Sequence, residues 1–173
     1  LVPSMELTEL FETEDFSLCA PGKGSAYTQV VTRLAREIGG TRVGLVLGGG
    51  AALGIAHIGI LKVLEEQKIP VDVVAGSSMG ALLGALWATG HSARDLAQLA
   101  HEFGDKKGLL SLLDPVFPIS GFIGGRAIQR WLKKHLGDKS FYDASIPLKI
   151  IAYDLVRRQE IVIQSGRIMD AVQ

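Results

Sequence analysis

The sequence predicts an α/β domain built on a largely parallel sheet, and three observations predict it. Two long runs, Val43 to Leu61 and Val73 to Ala93, contain no Lys, Arg, Asp or Glu. Each run opens on β-branched, strand-like residues, passes a Gly/Ser cluster and only then becomes helical, so strand, turn and helix recur twice in succession. Uncharged strands of this kind are expected where both faces of a parallel sheet are covered.

The elements follow in order. The acidic start (Glu6, Glu9, Glu12, Glu14, Asp15) and the turn at Pro21-Gly-Lys-Gly24 carry little pattern, whereas Ala26 to Ile38 has the apolar spacing of a helix. We therefore divide the chain into a leader with one helix, residues 1–40, and a domain, residues 41–173. In that domain the pattern predicts a strand over 43–47, a glycine-rich loop over 48–54, a helix over 54–67, a strand over 71–75, a tight turn over 76–79 and a helix over 79–89. Ser92-Ala-Arg-Asp95 resembles a capping box with Asp in the place of Glu, opening a helix to about Phe103. Residues 104–125 are irregular; Leu109 to Phe122 suits a lipid-facing flap or core beneath a long loop equally well. A helix over 126–136 stops at Gly137, a residue suited to a left-handed cap. Leu148 to Tyr153 and Ile161 to Gln164 read as a strand pair joined by a polar turn. Arg167 to Gln173 reads as the opening of a helix, and with the start at Leu1 this gives the expectation of a piece cut from a longer protein.

Composition removes several functions. The 173 residues are 47% hydrophobic and 21% charged, with 18 basic and 18 acidic side chains. A chain this apolar is not disordered, and balanced charge gives no electrostatic footprint for nucleic acid. Cys19 is the single cysteine, which excludes an internal disulfide and a Cys-rich zinc site. The four histidines are scattered, so the sequence supports no metal site, and no cofactor is expected. The two uncharged runs are long enough to raise the question of membrane spans. A helix over 79–89 would be roughly 17 Å long against a hydrocarbon core of about 30 Å, so we read both runs as buried strand-turn-helix units.

The chemistry lies in two of the turns. Gly76-Ser-Ser-Met-Gly80 is a G-x-S-x-G sequence between strand and helix, the context in which Ser78 is lifted out on a sharp turn as a nucleophile. Gly76 and Gly80 flank it because the turn passes close to its neighbours, and the head of the following helix favours developing negative charge. The plainer alternative is a Gly/Ser turn that only packs the helix. Gly48-Gly-Gly-Ala-Ala-Leu-Gly54 also follows a strand and opens a helix, and its amides can cradle an oxyanion or a phosphate. A dinucleotide site would want an acidic residue at the end of the second strand, but Asp72 lies at its beginning. A P-loop is excluded by the absence of Gly-Lys-Ser/Thr. Parallel neighbouring strands would place both turns at one edge of the sheet, the arrangement acyl transfer needs. His57 reads as a packing histidine, and Lys133-Lys-His135 as a solvated helix face.

Val43-Gly-Leu-Val-Leu-Gly-Gly-Gly50, Ala56-His-Ile-Gly59, Leu61-Lys-Val-Leu-Glu65 and Ala75-Gly-Ser-Ser-Met-Gly80 together resemble the patatin-like phospholipase family, in its bacterial and neuropathy-target-esterase-like branch. The likeness extends less specifically through Leu112 to Asp114, Gly124 to Leu136 and Ile151-Ala-Tyr-Asp-Leu155. It implies a three-layer patatin-type fold, incomplete at the C-terminal end, and a serine lipid acyl hydrolase using a Ser–Asp dyad with no metal. The substrate would be a phospholipid, lysophospholipid or acylglycerol ester met at a membrane surface, by a cytoplasmic or peripherally membrane-associated protein. Ser78 would be the nucleophile and the amides of Gly48, Gly49 and Gly50 the oxyanion hole. Ala51 stands where the family loop has a fourth glycine, and Leu53 where it has arginine. The family's dyad aspartate lies in an Asp-Gly-Gly or Asp-Gly-Ala motif, and no Asp-Gly occurs here. Asp154 matches a structural position, and Asp72, Asp114 and Asp170 have no better claim. These residues are therefore expected to be inactive or nearly so by themselves. The alternative is a non-catalytic lipid- or acyl-binding or oligomerisation domain.

Overall fold

The computed structural model describes residues 26–104 and 125–173. Helix α1 (Ala26–Ile38) precedes strand β1 (Gly44–Leu47), a 3-10 turn (Ala51–Ile55) and helix α2 (Ala56–Glu66). Strand β2 (Val73–Gly76) leads into α3 (Met79–Ala88) and α4 (Ala93–Gly104). After α5 (Gly125–Leu136) come a 3-10 turn (Phe141–Asp143), β3 (Leu148–Asp154), β4 (Gln159–Ile163) and α6 (Ile168–Val172). The leader, the turn at Pro21 to Gly24, the flap candidate at 109–122 and Asp114 lie outside the described residues.

The strands form one sheet in the order β1-β2-β3-β4. β1, β2 and β3 run parallel, with Leu47 opposite Gly76 and Gly76 opposite Ile150, and β4 returns antiparallel as a hairpin. The predicted α/β class with a largely parallel sheet is the observed one. The hairpin turn is made by Asp154, whose Oδ1 accepts the amides of Val156 and Arg157 at 2.9 Å each.

Helix α3 lies on one face of the sheet. Its Gly80, Ala81, Gly84, Ala85 and Ala88 are buried, and small side chains let its backbone settle onto Leu47, Val74 and Leu148. A Cβ on Gly84 would already stand 3.0 Å from Val74 Cγ1. Leu61, Leu86, Leu96, Leu132, Leu136 and Ile168 complete an apolar core in which α2, α4, α5 and α6 surround α3. Cover on both faces was the expectation from the uncharged strands. Among the described residues helices cover one face, and the other presents Val46 at 77% exposure, Tyr153 at 59% and Val162 at 49%.

Caps fix the helix ends. Ser92 and Asp95 form the predicted box, Ser92 N donating to Asp95 Oδ2 at 2.8 Å and Asp95 N to Ser92 Oγ at 3.2 Å. Gly137 ends α5 at φ 59° with its amide on the Lys133 carbonyl, the left-handed stop the sequence indicated. The amino edge of the sheet is fastened by Asp72, whose side chain is completely buried. Arg36 Nε of α1 donates to both its oxygens at 3.0 and 2.9 Å, Arg36 Nη2 adds a further bond, and Val43 N donates at 2.9 Å. These bonds, Arg36 foremost, hold the Asp72 carboxyl below the usual carboxylate range against the opposing effect of burial.

Candidate active site

The parallel register brings the ends of β1 and β2 together. Ser77 N donates to the Leu47 carbonyl at 3.1 Å, so the turn after β2 is stitched to the last residue of β1. The chain then reverses into α3, with Gly80 N on the Ser77 carbonyl at 2.9 Å and Leu82 N on the Ser78 carbonyl at 3.1 Å. Ser78, at the N-cap of α3, has φ 53° and ψ −122°, a left-handed backbone for a residue with a side chain, and it is exposed. A sharp strand-to-helix turn with strain of this kind has the backbone geometry a nucleophile elbow requires.

Sterics explain the flanking glycines. A Cβ on Gly76 would lie 2.5 Å from the Gly80 carbonyl oxygen, and one on Gly80 would lie 2.1 Å from the Leu47 oxygen and 2.6 Å from the Gly48 oxygen. No side chain fits at either place.

The glycine loop sits directly against this elbow. A Cβ on Gly49 would stand 3.3 Å from Ser78 Cβ, so Gly49 backbone and nucleophile candidate are in contact distance. No hydrogen bond among the described residues engages the amides of Gly48, Gly49 or Gly50. The Gly49 backbone thus lies beside a strained, exposed serine, in a loop whose amides no described group engages. Beyond Gly50 the loop tightens into the 3-10 turn, with Leu53 N on the Gly50 carbonyl at 3.0 Å. Ala51 takes φ 47°, so the residue standing in the family's glycine place does adopt a left-handed backbone. Its neighbour Leu53 points outward at 84% exposure. Next to Ser78, Met79 joins Ile55, Leu82, Leu86, Leu99 and Trp131 among others in lining a small apolar cavity of about 40 Å³.

The two turns are therefore brought together as the sequence indicated, while two residues have roles the sequence reading did not assign. His57, read as a packing histidine, is half-buried at the start of α2 and its Nε2 is 2.9 Å from the Gly48 carbonyl oxygen. The loop carbonyl, nine residues earlier, is its partner, and a polar residue inside the otherwise apolar stretch after the glycine loop was the available signal. Asp72 anchors α1 to the sheet edge remote from Ser78, about four strand residues or roughly 13 Å below Gly76.

The other described aspartates also have work elsewhere. Asp95 and Asp143 cap turns through Ser92 and Ser140, whose hydroxyls lower both carboxyls from their ordinary values. Asp154 holds the β3–β4 turn, Asp170 pairs with Arg167 at 2.9 Å, and Asp138 is 79% exposed and 3.8 Å from Arg167.

The profile of the family described as patatin-like phospholipase matches residues 45–173. Among curated proteins, neuropathy target esterase sws of Drosophila sechellia is 44% identical over 126 residues, 72% of this chain and 9% of its own. The same protein of Drosophila virilis is 43% identical over the same length, 8% of its own chain. The chain thus spans about a tenth of the length of the curated relatives it matches. A solved structure, that of the type III effector protein ExoU, superposes with a TM-score of 0.47 at 19% identity, over 76% of this chain and 38% of that one. With its family profile matched from β1 to the last helix, through both the glycine loop and the serine turn, the chain belongs to the patatin-like phospholipase family.

Proposed function

We propose that these residues carry the nucleophile and oxyanion loop of a serine lipid acyl hydrolase. The observation that carries the reading is the strained, exposed Ser78 set against Gly49 with the loop amides unspent. Ser78 Oγ attacks the ester carbonyl carbon as its proton passes to a general base. The carbonyl oxygen takes the negative charge among the amides of Gly48, Gly49 and Gly50, and collapse expels the alcohol, which recovers the proton. Water then cleaves the acyl-serine by the same route, releasing the fatty acid. The apolar lining around Met79 supports an acyl substrate, since it offers an uncharged wall next to Ser78.

The general base of this scheme is an aspartate supplied from outside residues 1–173. No described aspartate is left over for Ser78, and the sequence holds no Asp-Gly pair. Without a base these residues alone lose about 10²–10⁴-fold in rate. Substrate would be a phospholipid, lysophospholipid or acylglycerol ester taken from a membrane surface, which the protein meets from the cytoplasm or while peripherally attached. No helix among the described residues is long and apolar enough to cross a membrane.

The test is a fluorophosphonate probe on the full-length protein, read with hydrolysis of the three lipid classes. Labelling that disappears in Ser78→Ala together with turnover is the expected result. Labelling that persists in Ser78→Ala overturns the assignment. Lipid binding without turnover of any class would replace it by a non-catalytic acyl-binding domain.

A further inference from the structure

We infer that His57 is a positioning residue for the oxyanion loop, a latch that prevents the Gly48–Gly49 peptide from turning over. The inference rests on the proposed roles of Ser78 and the glycine loop. The acceptor of the His57 bond is a carbonyl oxygen, so Nε2 must carry the proton and donate it, at 2.9 Å. That carbonyl is held from a second side as well, because it lies against Gly80, where a Cβ would stand only 2.6 Å from it. Gly48 O is thus directed into the junction of α2 and α3.

The consequence follows from peptide geometry. In a trans peptide the C=O and the following N–H point in opposite directions. With Gly48 O turned inward to His57, the Gly49 N–H is turned outward, on the residue that touches Ser78. Rotation of this one peptide plane would exchange the two. A donor beside the nucleophile would become a carbonyl oxygen, which repels the developing oxyanion. The plane lies between two glycines, whose lack of Cβ leaves such a rotation with little steric resistance. A side-chain donor on the next helix is therefore the element that selects one of the two orientations.

The latch needs only an N–H on Nε2 and passes no proton to or from the substrate. This separates it from a general base, which would impose a pH limb on the rate.

The experiment compares wild type, His57→Ala, His57→Gln and Ser78→Ala in the full-length protein. It measures kcat and KM on a water-soluble short-chain ester across pH, thermal unfolding, and affinity for an acyl trifluoromethyl ketone, which forms an oxyanion on a serine. His57→Ala is expected to lower kcat roughly tenfold to hundredfold, below the 10²–10³ typical of removing a donor outright. KM should stay within about twofold. Trifluoromethyl ketone affinity should fall in step with kcat/KM, the pH profile should keep its shape, and His57→Gln, with a side-chain N–H of similar reach, should recover much of the loss. Unchanged kcat and ketone affinity in His57→Ala overturn the latch. So do loss of a pH limb, which marks a base, and a fall in thermal stability that tracks the loss of rate without rescue by Gln, which marks packing. Persistent labelling of Ser78→Ala would remove the underlying active-site reading, which the His57 measurements alone cannot do.

Discussion

Gly80→Ala tests whether the elbow depends on close backbone approach. The added Cβ would begin 2.1 Å from the Leu47 oxygen. A carbon–oxygen contact settles near 3.3 Å, so α3 and the end of β1 must part by about 1 Å. Overpacking of this kind costs about 1–3 kcal/mol. The separation also stretches the 3.1 Å bond from Ser77 N to Leu47 O, worth about 1 kcal/mol more. We expect a loss of about 2–4 kcal/mol in urea unfolding, or roughly 5–15 °C in Tm for a domain of this size. Turnover in the full-length protein should drop by up to about 10²-fold, since a displacement of this size moves Ser78 away from Gly49. The matched control is Gly59→Ala. Gly59 lies within α2, and a Cβ there meets nothing within 4 Å. Relief of the helix penalty of glycine should raise stability by about 0.5–1 kcal/mol. If Gly80→Ala unfolds within 0.5 kcal/mol of wild type, or if Gly59→Ala is equally damaging, the steric reasoning is wrong.

Three further outcomes are expected. Asp72→Asn should destabilise by about 1–3 kcal/mol, the range for losing charged hydrogen bonds to partly exposed arginines. It should leave the rate per folded molecule of the full-length protein unchanged, because Asp72 sits at the far edge of the sheet. The Asp72 carboxyl is held below its unfolded value, so its contribution is complete above the ordinary carboxylate range near 3.9 and is lost as pH falls through the lower folded value. Urea midpoints from pH 6 down to pH 2 should therefore decline less steeply in Asp72→Asn. Ala51→Gly should raise stability by about 0–1.5 kcal/mol. Release of the left-handed alanine gains about 1–2 kcal/mol, and the greater freedom of unfolded glycine takes back about 0.4–1, which differential calorimetry can resolve. Glu65→Ala removes an acceptor shared by Trp87 Nε1 at 2.7 Å and Ala93 N at 2.9 Å, and should cost about 1–3 kcal/mol in the same assay.

The elements near the site were legible because their signals are local. The spacing of Gly76, Ser78 and Gly80 specifies a turn within five residues, and Ser92 with Asp95 specifies a cap within four. The hairpin and the stop at Gly137 were readable for the same reason. What escaped depends on contacts across the fold. The partner of Asp72 is Arg36, 36 residues earlier on a helix whose placement no local pattern fixes. The partner of His57 is a backbone oxygen, which leaves no trace in residue type. The 3-10 turn over Ala51–Ile55 was read as loop and the start of a helix, because two alanines and a leucine do not distinguish three residues per turn from 3.6. Cover of both sheet faces was inferred from apolar strands, but hydrophobicity reports a demand for burial rather than the element that meets it.

Apart from Ser78, the proposed site is made of main-chain atoms: the amides at 48–50, the Leu47 carbonyl that takes Ser77, and the Gly48 carbonyl held by His57. What must be inherited is therefore spacing more than chemistry. Replacements such as Ala51 and Leu53 reshape the rim and leave the donors in being. A single residue inserted between Gly76 and Gly80, or between Gly48 and His57, would rotate the elbow or unhook the loop while preserving every side chain of the motif. Length variation in these two turns, rather than substitution within them, is the change that should separate silent from active members among chains of this kind.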